Sequence, residues 1–468
     1  MEAGERQIGK VDIACEAHHD VGPNALRLNT PSMDSQIDCE ILIIGAGTWG
    51  CSIALELARR GHASIKVLDG SSFPSAISAG NDLNKIAEEA NEPSQNDSDE
   101  DFFWHRVHQI AMTAWKHDPL FAPFYHPTGF IDAAVSDDAY QRCVEYARGE
   151  DAVLAPLNTR EDFQKTMPGG VLQGSFPGWR GFWKQGGAGW VFASGALRAM
   201  HAEAVKLGVR FVTGEPEGRV QRLICNEGSK AVLGAVTSDG VSHLTKHTIL
   251  SAGANSDCLF DFEGQLRPTA WTLAHIPLSQ EEATLYKDLP VLYGVDRGFF
   301  IEPDAEKHEM KLCDEHPGYI NPVVENGKFH SVPFARHQIP AESEARMRLL
   351  LRETMPQLAE REFSFARMCW DADTVDRRFL IDRHPSIENL IVAVGGSGNG
   401  FMTCPAIGVL VADVLEDKGD IEARVKKMLR WRPEIAVDRD WWNSQGRYGA
   451  DGKVMDLREI TEWTKIQH

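Results

Sequence analysis

The sequence has little positive charge relative to its acids, and it lacks the cysteine pattern of a disulfide scaffold. It has 48 lysines and arginines against 68 aspartates and glutamates, a net charge of −20. Such an acidic chain argues against nucleic acid or an anionic membrane as a partner, because both need basic patches. The 9 cysteines are odd in number and contain no C-x-x-C pair, which is typical of reduced thiols inside a cell.

The sequence also lacks a clear targeting or membrane-spanning segment. Residues 41–55 are strongly apolar, but glycines interrupt them and they are shorter than the roughly 20 residues that a bilayer needs. The acidic start argues against a mitochondrial transit peptide, and the final KIQH differs from the S-K-L peroxisomal signal. We therefore expect an intracellular, cytoplasmic protein, a monomer or weak homo-oligomer, that binds neither nucleic acid nor membranes.

A glycine-rich turn lies between a short apolar strand and a helix. Gly45, Gly47 and Gly50 match G-x-G-x-x-G, and Asp69 ends the next strand. Gly45 permits the tight turn, Gly47 lets a pyrophosphate approach the backbone, and Gly50 lets helix and strand pack closely. The free N–H groups of the helix favour the pyrophosphate charge, and Asp69 suits a ribose hydroxyl better than a 2′-phosphate. The unit predicts a dinucleotide site that disfavours NADP.

A second glycine loop, at residues 395–400, precedes another helix far downstream. An NAD domain is usually one contiguous block, whereas here the two nucleotide-type loops are widely separated. The N-terminus of a helix carries a partial positive charge, which beside a flavin pyrimidine carbonyl would stabilise the anionic reduced ring. This arrangement favours FAD over NAD; a plain strand-to-helix turn is the alternative.

Nucleotide-type patterns therefore recur near the start, middle and end of a chain whose 468 residues correspond to roughly three globular units. We predict the α/β class, with a Rossmann-type FAD-binding domain built from discontinuous segments and an α+β substrate domain with an antiparallel sheet. The predicted division is an extension at 1–37, FAD-binding segments at 38–100, 186–262 and 361–430, substrate-domain segments at 101–185 and 263–360, and a C-terminal tail at 431–468 that contributes to the substrate pocket.

Long stretches between residue 38 and about residue 460 match the motifs of one enzyme family. They are residues 45–61, 67–86, 178–190, 265–276, 311–319, 368–385 and 446–456. In these stretches the chain resembles fungal fructosyl amino acid oxidases (amadoriases), in the sarcosine-oxidase-like branch of the D-amino-acid-oxidase superfamily. The resemblance implies oxidation of a secondary amine by FAD and O₂ to an imine and hydrogen peroxide. Hydrolysis of the imine then releases an amine and a carbonyl compound.

The resemblance also implies a reactive centre. Cys369 matches the cysteine that holds FAD through a thioether, Lys311 the lysine that activates oxygen beside flavin N5, and Lys85 a second active-site lysine. A fixed cation in a dry site would stabilise the negative charge that develops on oxygen. Arg367, two residues before Cys369, would favour the thiolate. The alternatives are an inert buried cysteine, a surface lysine paired with Glu315, and a solvated loop lysine.

The same resemblance implies contacts to substrate and cofactor. Glu315 and Arg447 match residues that bind the amino-acid end of the substrate, and Met402 occupies a position that touches both substrate and flavin. A carboxylate and a guanidinium can clamp an ammonium and a carboxylate, but a structural ion pair between them is the alternative. No metal site is predicted. The predicted FAD contacts are Gly45, Gly47, Thr48, Trp49, Gly50, Asp69, Ser78, Lys85, Val220, Gly253, Gly398, Gly400, Phe401 and Met402.

The chain departs from this family at two places near the substrate. The second glycine loop of the family typically reads G-x-G-F-K, and here Met402 replaces the lysine. A site that loses one buried donor loses roughly 1–3 kcal/mol for the group left unmatched. The family often has a sugar-contacting tyrosine after Lys85, where this chain has the acidic stretch 88–101. Both changes argue against a fructosyl substrate and leave the chemistry at Lys311 intact.

Most of that acidic stretch, residues 90–101, is predicted to be a loop, either solvated or a gate over the site, followed by a helix over 102–116. Three hypotheses for the function remain. The first is an FAD-dependent amine oxidase acting on an N-substituted amino acid or a specialised-metabolite intermediate. The second is a true fructosyl amino acid oxidase that tolerates Met402. The third is a flavin-binding protein without oxidase turnover.

Overall fold

The computed structural model describes residues 37–150, 154–226, 228, 230–325, 327–417 and 422–466. The predicted extension at 1–37 lies outside this part of the chain, apart from its last residue. The α-helices are α1 (Thr48–Arg59), α2 (Asp99–His117), α3 (Asp137–Gly149), α4 (Arg160–Gln164), α5 (Ala193–Lys206), α6 (Gln280–Leu285), α7 (Ala341–Thr354), α8 (Cys404–Glu416) and α9 (Ala423–Leu429).

The strands alternate with these helices along the chain. They are β1 (Cys39–Ile44), β2 (Ile65–Asp69), β3 (Asn84–Glu88), β4 (Tyr125–His126), β5 (Phe130–Ala134), β6 (Ala155–Leu157), β7 (Arg180–Lys184), β8 (Ala188–Phe192), β9 (Arg210–Thr213), β10 (Val220–Asn226), β11 (Ala231–Thr237), β12 (Ser242–Leu250), β13 (Leu266–Pro277), β14 (Val291–Gly294), β15 (Gly298–Ile301), β16 (Glu309–Asp314), β17 (Tyr319–Ile320), β18 (Pro322–Glu325), β19 (Lys328–Ser331), β20 (Phe365–Thr374), β21 (Leu380–Arg383), β22 (Leu390–Val394) and β23 (Met455–Asp456).

The first sheet has a parallel centre that contains the strand before the glycine turn. Among the described residues its eight strands follow the order β10-β11-β12-β1-β2-β9, with β22 beside β12 and β21 beside β22. β1 runs parallel to β2 and β12. Ile41 and Ile43 enter one apolar core, and Leu42 and Ile44 enter another, so β1 is buried on both faces. Burial of both faces is expected of a parallel sheet in an α/β fold.

One face of this sheet is covered by α1, α2, α5 and α8, whose buried side chains join the core of Ile41 and Ile43. The helix predicted over 102–116 begins earlier, at Asp99. The Ser98 side chain caps it by accepting the N–H of Asp101, and acids in the first turn complement the helix dipole. Residues 90–98 before it contain no helix or strand, in agreement with the predicted loop.

The second sheet is mainly antiparallel. Its ten described strands follow the order β23-β17-β13-β16-β15-β14-β5-β7-β6, with β20 beside β13. One face packs on α7 through an apolar core that includes Ile131, Leu312, Leu350 and Met368. The two sheets confirm the predicted α/β class, in which a Rossmann-type sheet accompanies an antiparallel one. None of the helices in the described part of the chain has the length and apolar character needed to cross a bilayer.

Two elements pack with a different sheet from the one that the predicted division gives them. α2, predicted within the substrate-domain segment 101–185, contributes Phe103 and Trp115 to the core of the first sheet. β20, predicted within the FAD-binding segment 361–430, pairs with β13 in the second sheet. Local periodicity indicates that an element forms but not which neighbour it packs against, which explains both differences. The remaining segment limits stay predictions.

Candidate active site

One face of the second sheet has charged and reactive side chains, whereas the opposite face is mainly apolar. Cys369 on β20 lies beside Trp271 on β13, and paired residues of neighbouring strands project to the same side. The next residue on β20, Met368, points into the apolar core instead. We call the polar side the site face. Its residues include Asp132, Phe182, Lys184, Trp271, Tyr293, Phe299, Lys311, Cys313, Arg367, Cys369 and Asp373.

In the first glycine turn, neighbouring atoms leave no room for a side chain at two of the glycines, whereas there is room at the third. A Cβ atom at Gly45 would lie 2.4 Å from the carbonyl oxygen of Ser251, and one at Gly50 would lie 1.8 Å from the carbonyl oxygen of Gly45. A Cβ at Gly47 would meet only the Ser78 hydroxyl, at 3.7 Å. Gly45 also has a φ of +109°, which side chains rarely tolerate. The open space at Gly47 is where the sequence predicts the pyrophosphate.

Asp69, at the end of β2, holds the same turn in place. Its carboxylate accepts the backbone N–H of Ala46 and of Ser71, each at 2.8 Å. Burial raises the pKa of Asp69, and these two hydrogen bonds oppose the rise. The predicted ribose-binding residue therefore also joins β2 to the glycine turn.

The two glycine loops, far apart in the sequence, meet through a tryptophan. The indole N–H of Trp49, on α1, donates to the carbonyl oxygen of Gly400 at 2.8 Å. A Cβ atom at Gly400 would lie 3.1 Å from that indole nitrogen, so the loop leaves little room for a side chain there. Phe401 is buried beside them and stacks on Trp115. Trp49, Gly400 and Phe401, all predicted cofactor contacts, thus lie together.

The other predicted cofactor residues are distributed around these loops. Thr48 packs against Gly80, where a Cβ would lie 2.1 Å from the Thr48 hydroxyl. Gly398 has a φ of +92° and donates its N–H to Asp371. Gly253, with a φ of +57°, opens a turn after β12 and has no atom within 4 Å of its Cβ position. Val220 begins β10, at the edge of the first sheet.

Asp82 is a buried carboxylate that binds both predicted active-site lysines. The Nζ of Lys311 lies 2.6 Å from Asp82 Oδ2, and the Nζ of Lys85 lies 2.8 Å from the same oxygen. Lys311 also donates to the backbone oxygen of Asn84 at 2.9 Å, and its side chain is only 1% exposed. We call Asp82, Lys85 and Lys311 the Asp82 centre. The two alternatives, a surface Lys311 paired with Glu315 and a solvated Lys85, are wrong.

The charges of the Asp82 centre stabilise one another. Burial raises the pKa of Asp82, but Lys311, Lys85 and Arg367 outweigh it and hold the pKa well below the usual range. Burial lowers the pKa of Lys85, and the charge of Asp82 outweighs it in turn, so this pKa is raised. One carboxylate thus neutralises one of two lysines, and the centre keeps a positive excess.

Cys369 lies on the site face next to this excess of positive charge. It is buried, and it packs with Leu273 and Cys313. Arg367, on the same strand and face, is 2% exposed and donates to the backbone oxygens of Ala76, Ser78 and Asn81. The cation predicted to favour the thiolate is therefore held on the side of Cys369. Attachment of a flavin to this sulfur stays a prediction.

Arg447 and Glu315 lie near each other but do not form the ion pair weighed as an alternative. Arg447 instead makes a two-pronged pair with Asp373, with both N–O distances 2.8 Å. The Arg447 guanidinium also lies 4.7 Å from the centre of the Trp271 ring, and the ring of His316 stacks on Trp271 at 4.9 Å. Asp373 and Trp271 therefore fix the orientation of Arg447.

Glu315 follows β16 directly, close to the site face. Burial raises the pKa of Glu315 to about 8, and the charge of Arg447 opposes the rise. Tyr293 lies beside this carboxyl, and burial together with the charge of Glu315 raises the pKa of the phenol. A carboxyl with a pKa this close to neutrality can bind an ammonium or exchange a proton.

The comparisons with known proteins agree with this geometry. A profile of the family described as FAD dependent oxidoreductase (DAO) matches residues 40–414. The chain belongs to this family. The crystal structure of fructosyl amine: oxygen oxidoreductase (amadoriase I) from Aspergillus fumigatus is 50% identical, covers 92% of this chain and 98% of its own, and superposes with a TM-score of 0.87. The crystal structure of fructosamine oxidase (amadoriase II) from the same organism is 48% identical. It covers 92% of this chain and 98% of its own, with a TM-score of 0.88.

Among the relatives of this family, the L-saccharopine oxidase of Schizosaccharomyces pombe is 27% identical over 423 residues, which are 86% of this chain and 95% of the relative. Membership confirms dependence on FAD and the predicted resemblance to amadoriases. The described residues fit FAD, because the turn at Gly47 is open and Trp49 joins the two glycine loops. When bound, FAD would meet Gly47 at its pyrophosphate and the site face at its ring system.

Met402, the departure from the G-x-G-F-K pattern, follows the second loop of this FAD-dependent enzyme. Its backbone oxygen accepts the indole N–H of Trp115 at 2.6 Å. Its sulfur lies 3.1 Å from the backbone nitrogen of Glu88, which donates to it. The two places where the chain departs from the family, Met402 and the acidic stretch that begins at Glu88, are therefore in direct contact.

Sequence reasoning missed Asp82 and Asp373, the two carboxylates that anchor the predicted functional cations. Asp82 lies three residues before Lys85, and a carboxylate at that spacing from a predicted catalytic lysine was the available signal. Asp373 lies on the same face of β20 as Cys369, four residues further along, so strand alternation could have placed it at the site. Neither signal identifies the partner of the carboxylate. Asp82 binds Lys311 from β16, and Asp373 binds Arg447 from the C-terminal segment.

Proposed function

We propose that the chain is an FAD-dependent oxidase that converts the C–N bond of a secondary amine to an imine and reduces O₂ to hydrogen peroxide. A bound FAD would supply the acceptor for hydride from the carbon beside the nitrogen and the two electrons that reduce O₂ to peroxide. The buried Lys311 of the Asp82 centre is the observation that carries this proposal. It supplies a fixed cation on the site face, where a flavin ring held by the two glycine loops would lie.

The role of Lys311 follows from its hydrogen bonds. An ammonium group has three N–H donors, and among the described residues two of them are used, by Asp82 and by the backbone oxygen of Asn84. The third can be donated to oxygen as negative charge develops on it. Asp82 holds the ammonium in place before the reaction, so little reorganisation is needed when O₂ is reduced.

The flavin is covalently bound through the sulfur of Cys369. The buried position of Cys369 on the site face supports this attachment, because Arg367 lies on the same strand and face and the flavin ring would lie against that face. Acid precipitation of the holoenzyme tests it: the yellow colour stays in the pellet of the wild type and moves to the supernatant in Cys369→Ser. Cys313→Ser, a neighbouring thiol on the same face, is the matched control and keeps its colour in the pellet. Colour that leaves the wild-type pellet contradicts the attachment.

Glu315 and Arg447 bind the amino-acid end of the substrate. Their positions support this role, since Arg447 is held rigidly by Asp373 and Glu315 remains without a direct bond to that guanidinium among the described residues. The C-terminal segment 431–466 contributes Arg447 to the pocket, in line with the predicted tail. The dispersed cysteines without a C-x-x-C pair support a cytoplasmic location, which cell fractionation tests, and light scattering tests the expected monomer or weak homo-oligomer.

A panel of amines tests the reaction itself. The holoenzyme is assayed for peroxide with sarcosine, N-methyl aromatic amino acids, saccharopine, fructosyl-lysine and fructosyl-valine. A secondary amine without a sugar is expected to be the best substrate, because Met402 lacks the donor of the family pattern. Peroxide from any amine excludes a flavin-binding protein without turnover, whereas a reducible flavin that no amine reduces contradicts the proposal.

A true fructosyl amino acid oxidase is the second candidate. It is favoured by the 50% and 48% identity to the two amadoriases. Fast turnover of fructosyl-lysine or fructosyl-valine, with none of the N-methyl amino acids, would establish it and would rule out our preference for a sugar-free amine.

A further inference from the structure

One carboxylate oxygen of Glu88 accepts hydrogen bonds from the protein, and the other accepts none from the described residues. Lys184 lies 3.1 Å from Oε1, and the hydroxyl of Tyr146 donates to the same oxygen. No described residue donates to Oε2. The backbone N–H of Glu88 donates to the sulfur of Met402, so residue 88 adjoins the end of the second glycine loop. The carboxylate oxygen without a protein donor therefore belongs to a residue that contacts position 402, where the family pattern has a lysine donor.

The charges around Glu88 have a negative excess. Lys184 is shared by two carboxylates, Glu88 and Glu150, the latter at 2.6 Å, and it also donates to the backbone oxygen of Glu89. All three side chains are largely buried, with Lys184 only 5% exposed. We call Glu88, Lys184 and Glu150 the Lys184 centre. A buried cluster with two carboxylates for one ammonium favours a further cation or proton.

Two buried polar atoms near this cluster, one carboxylate oxygen of Asp132 and the hydroxyl oxygen of Tyr125, have no nitrogen or oxygen hydrogen-bond partner among the described residues. Asp132, 1% exposed on the site face, accepts from Arg142 through one oxygen, and its second oxygen has no nitrogen or oxygen donor among the described residues. The hydroxyl of Tyr125 is buried without a partner in the same part of the chain. The charge of Asp132 raises the pKa of Glu88, and the charge of Glu88 raises the pKa of Tyr125, so the three groups lie within electrostatic range of one another. Buried polar groups normally have partners, and their lack indicates a place for a ligand.

We propose that Glu88 binds the substrate and selects secondary amines that carry an ammonium group, rather than a carboxylate, at the end next to Met402. This inference rests on the proposed amine oxidation and names the substrate class of the same site. A lysine at position 402 would repel such a group, whereas the methionine leaves it in contact with Glu88 Oε2. The sulfur and methyl of Met402 then pack against the methylene groups of the substrate.

The test uses three N-methyl amines of similar length that carry different terminal groups. They are N-methyl-1,3-diaminopropane with an ammonium, N-methylbutylamine with a methyl, and N-methyl-β-alanine with a carboxylate. Each is titrated into the anaerobic holoenzyme, and the dissociation constant is taken from the flavin spectrum or from the saturation of flavin reduction. The ammonium probe is expected to bind at least about 10-fold more tightly than the methyl probe, as a charge-assisted hydrogen bond provides.

The variants Glu88→Gln and Glu150→Gln separate contact from general electrostatics. Glu88→Gln keeps the shape of the side chain and is expected to reduce the preference to about 2-fold or less, with the methyl probe unchanged. Glu150→Gln removes the other carboxylate of the Lys184 centre and is expected to keep the order of the probes. An equal loss in both variants contradicts a contact made by Glu88.

The outcomes for the inference and for the proposed function are distinct. A wild type that binds the carboxylate or methyl probe as tightly as the ammonium probe overturns the inference, even when amines are oxidised. Failure of every secondary amine to reduce the flavin overturns the proposed oxidation, while the dissociation constants still report on Glu88.

Discussion

Two buried charged centres lie at the two ends of strand β3, and their composition is opposite. In the Asp82 centre one carboxylate lies between two ammonium groups, at 2.6 and 2.8 Å. In the Lys184 centre one ammonium lies between two carboxylates, at 3.1 and 2.6 Å. A buried excess of charge is costly unless a ligand or reacting group compensates it. The sign of each excess agrees with the two proposals, an anion developing on oxygen at the first centre and a cationic substrate group or a proton at the second.

The pKa shifts of the two carboxyls follow the same contrast. Burial favours the neutral form of both Asp82 and Glu88. At Asp82 the two lysines outweigh burial and lower the pKa. At Glu88 burial dominates, Lys184 opposes it and Glu150 adds to it, which raises the pKa to about 7. Similar burial thus gives opposite protonation behaviour, because the ratio of cations to carboxylates differs.

Removing the carboxylate of the Asp82 centre is expected to destabilise the protein strongly and so tests the contrast between the two centres. Asp82→Asn leaves the buried Lys311 and the partly exposed Lys85 without a carboxylate, and we expect the free energy of unfolding to fall by about 3–5 kcal/mol. Because the pKa of Asp82 is lowered in the folded protein, this stabilisation is present above the ordinary carboxyl pKa and is lost as the pH falls through the lowered value. Urea denaturation of the holoenzyme at pH 7 measures the change.

The control for this variant is an exposed ion pair. Lys246 and Glu40 are 50% and 51% exposed, so Glu40→Gln should cost no more than about 1 kcal/mol. If Asp82→Asn is as mild as Glu40→Gln, the Asp82 centre does not stabilise the fold as described.

Titration of Glu88 sharpens the contrast. With a pKa of about 7, Glu88 is mostly neutral at pH 6 and mostly charged at pH 8, so binding of N-methyl-1,3-diaminopropane relative to N-methylbutylamine should strengthen roughly 10-fold across that range. The terminal ammonium of the diamine lowers the pKa of its secondary amine, so each dissociation constant is first corrected with that probe's own titration curve. In Glu88→Gln the ratio should be flat, and a wild-type ratio that is equally flat would contradict the assignment. The titratable groups that face Glu88 are Tyr125, Asp132, Tyr146, Glu150 and Lys184.

Adding a cation beside the Lys184 centre is expected to have the smallest effect. Met402→Lys restores the family pattern and gives carboxylate or sugar groups a donor, which corresponds to about 10-fold tighter binding for one charge-assisted hydrogen bond. The variant is assayed with N-methyl-β-alanine, fructosyl-lysine and fructosyl-valine, and Met402→Leu is the control for size. Gain of fructosyl activity in the lysine variant alone supports a sugar-free natural substrate; equal activity in wild type and both variants contradicts it.

Local patterns were sufficient to predict the parts of the site that depend on neighbouring residues. The turn through Gly45, Gly47 and Gly50 could be predicted because its backbone requirements appear within six residues. The α/β class followed from the recurrence of such turns. The start of α2 was missed by three residues, because Ser98 caps a helix whose first turn is entirely acidic and so looked like part of the loop.

Partners far apart in the sequence could not be predicted. Arg447 was weighed as the partner of Glu315, yet it binds Asp373, since only the folded chain brings the C-terminal segment beside β20. Likewise the contact between Glu88 and Met402 joins positions that no local periodicity relates. The family resemblance named the candidate functional positions, and the structure supplied Asp82 and Asp373, the carboxylates that bind the cations among them.

The rate at which the reduced holoenzyme reacts with O₂ tests the central claim most directly. The flavin is reduced without oxygen, mixed with oxygenated buffer in a stopped-flow instrument, and followed by its absorbance, in the wild type, in Lys311→Met and in Lys307→Met, an exposed control on the loop before β16. We expect Lys311→Met to be slower by about 100- to 1000-fold, as for loss of one preorganised donor, and Lys307→Met to equal the wild type. Equal rates in all three would contradict the account.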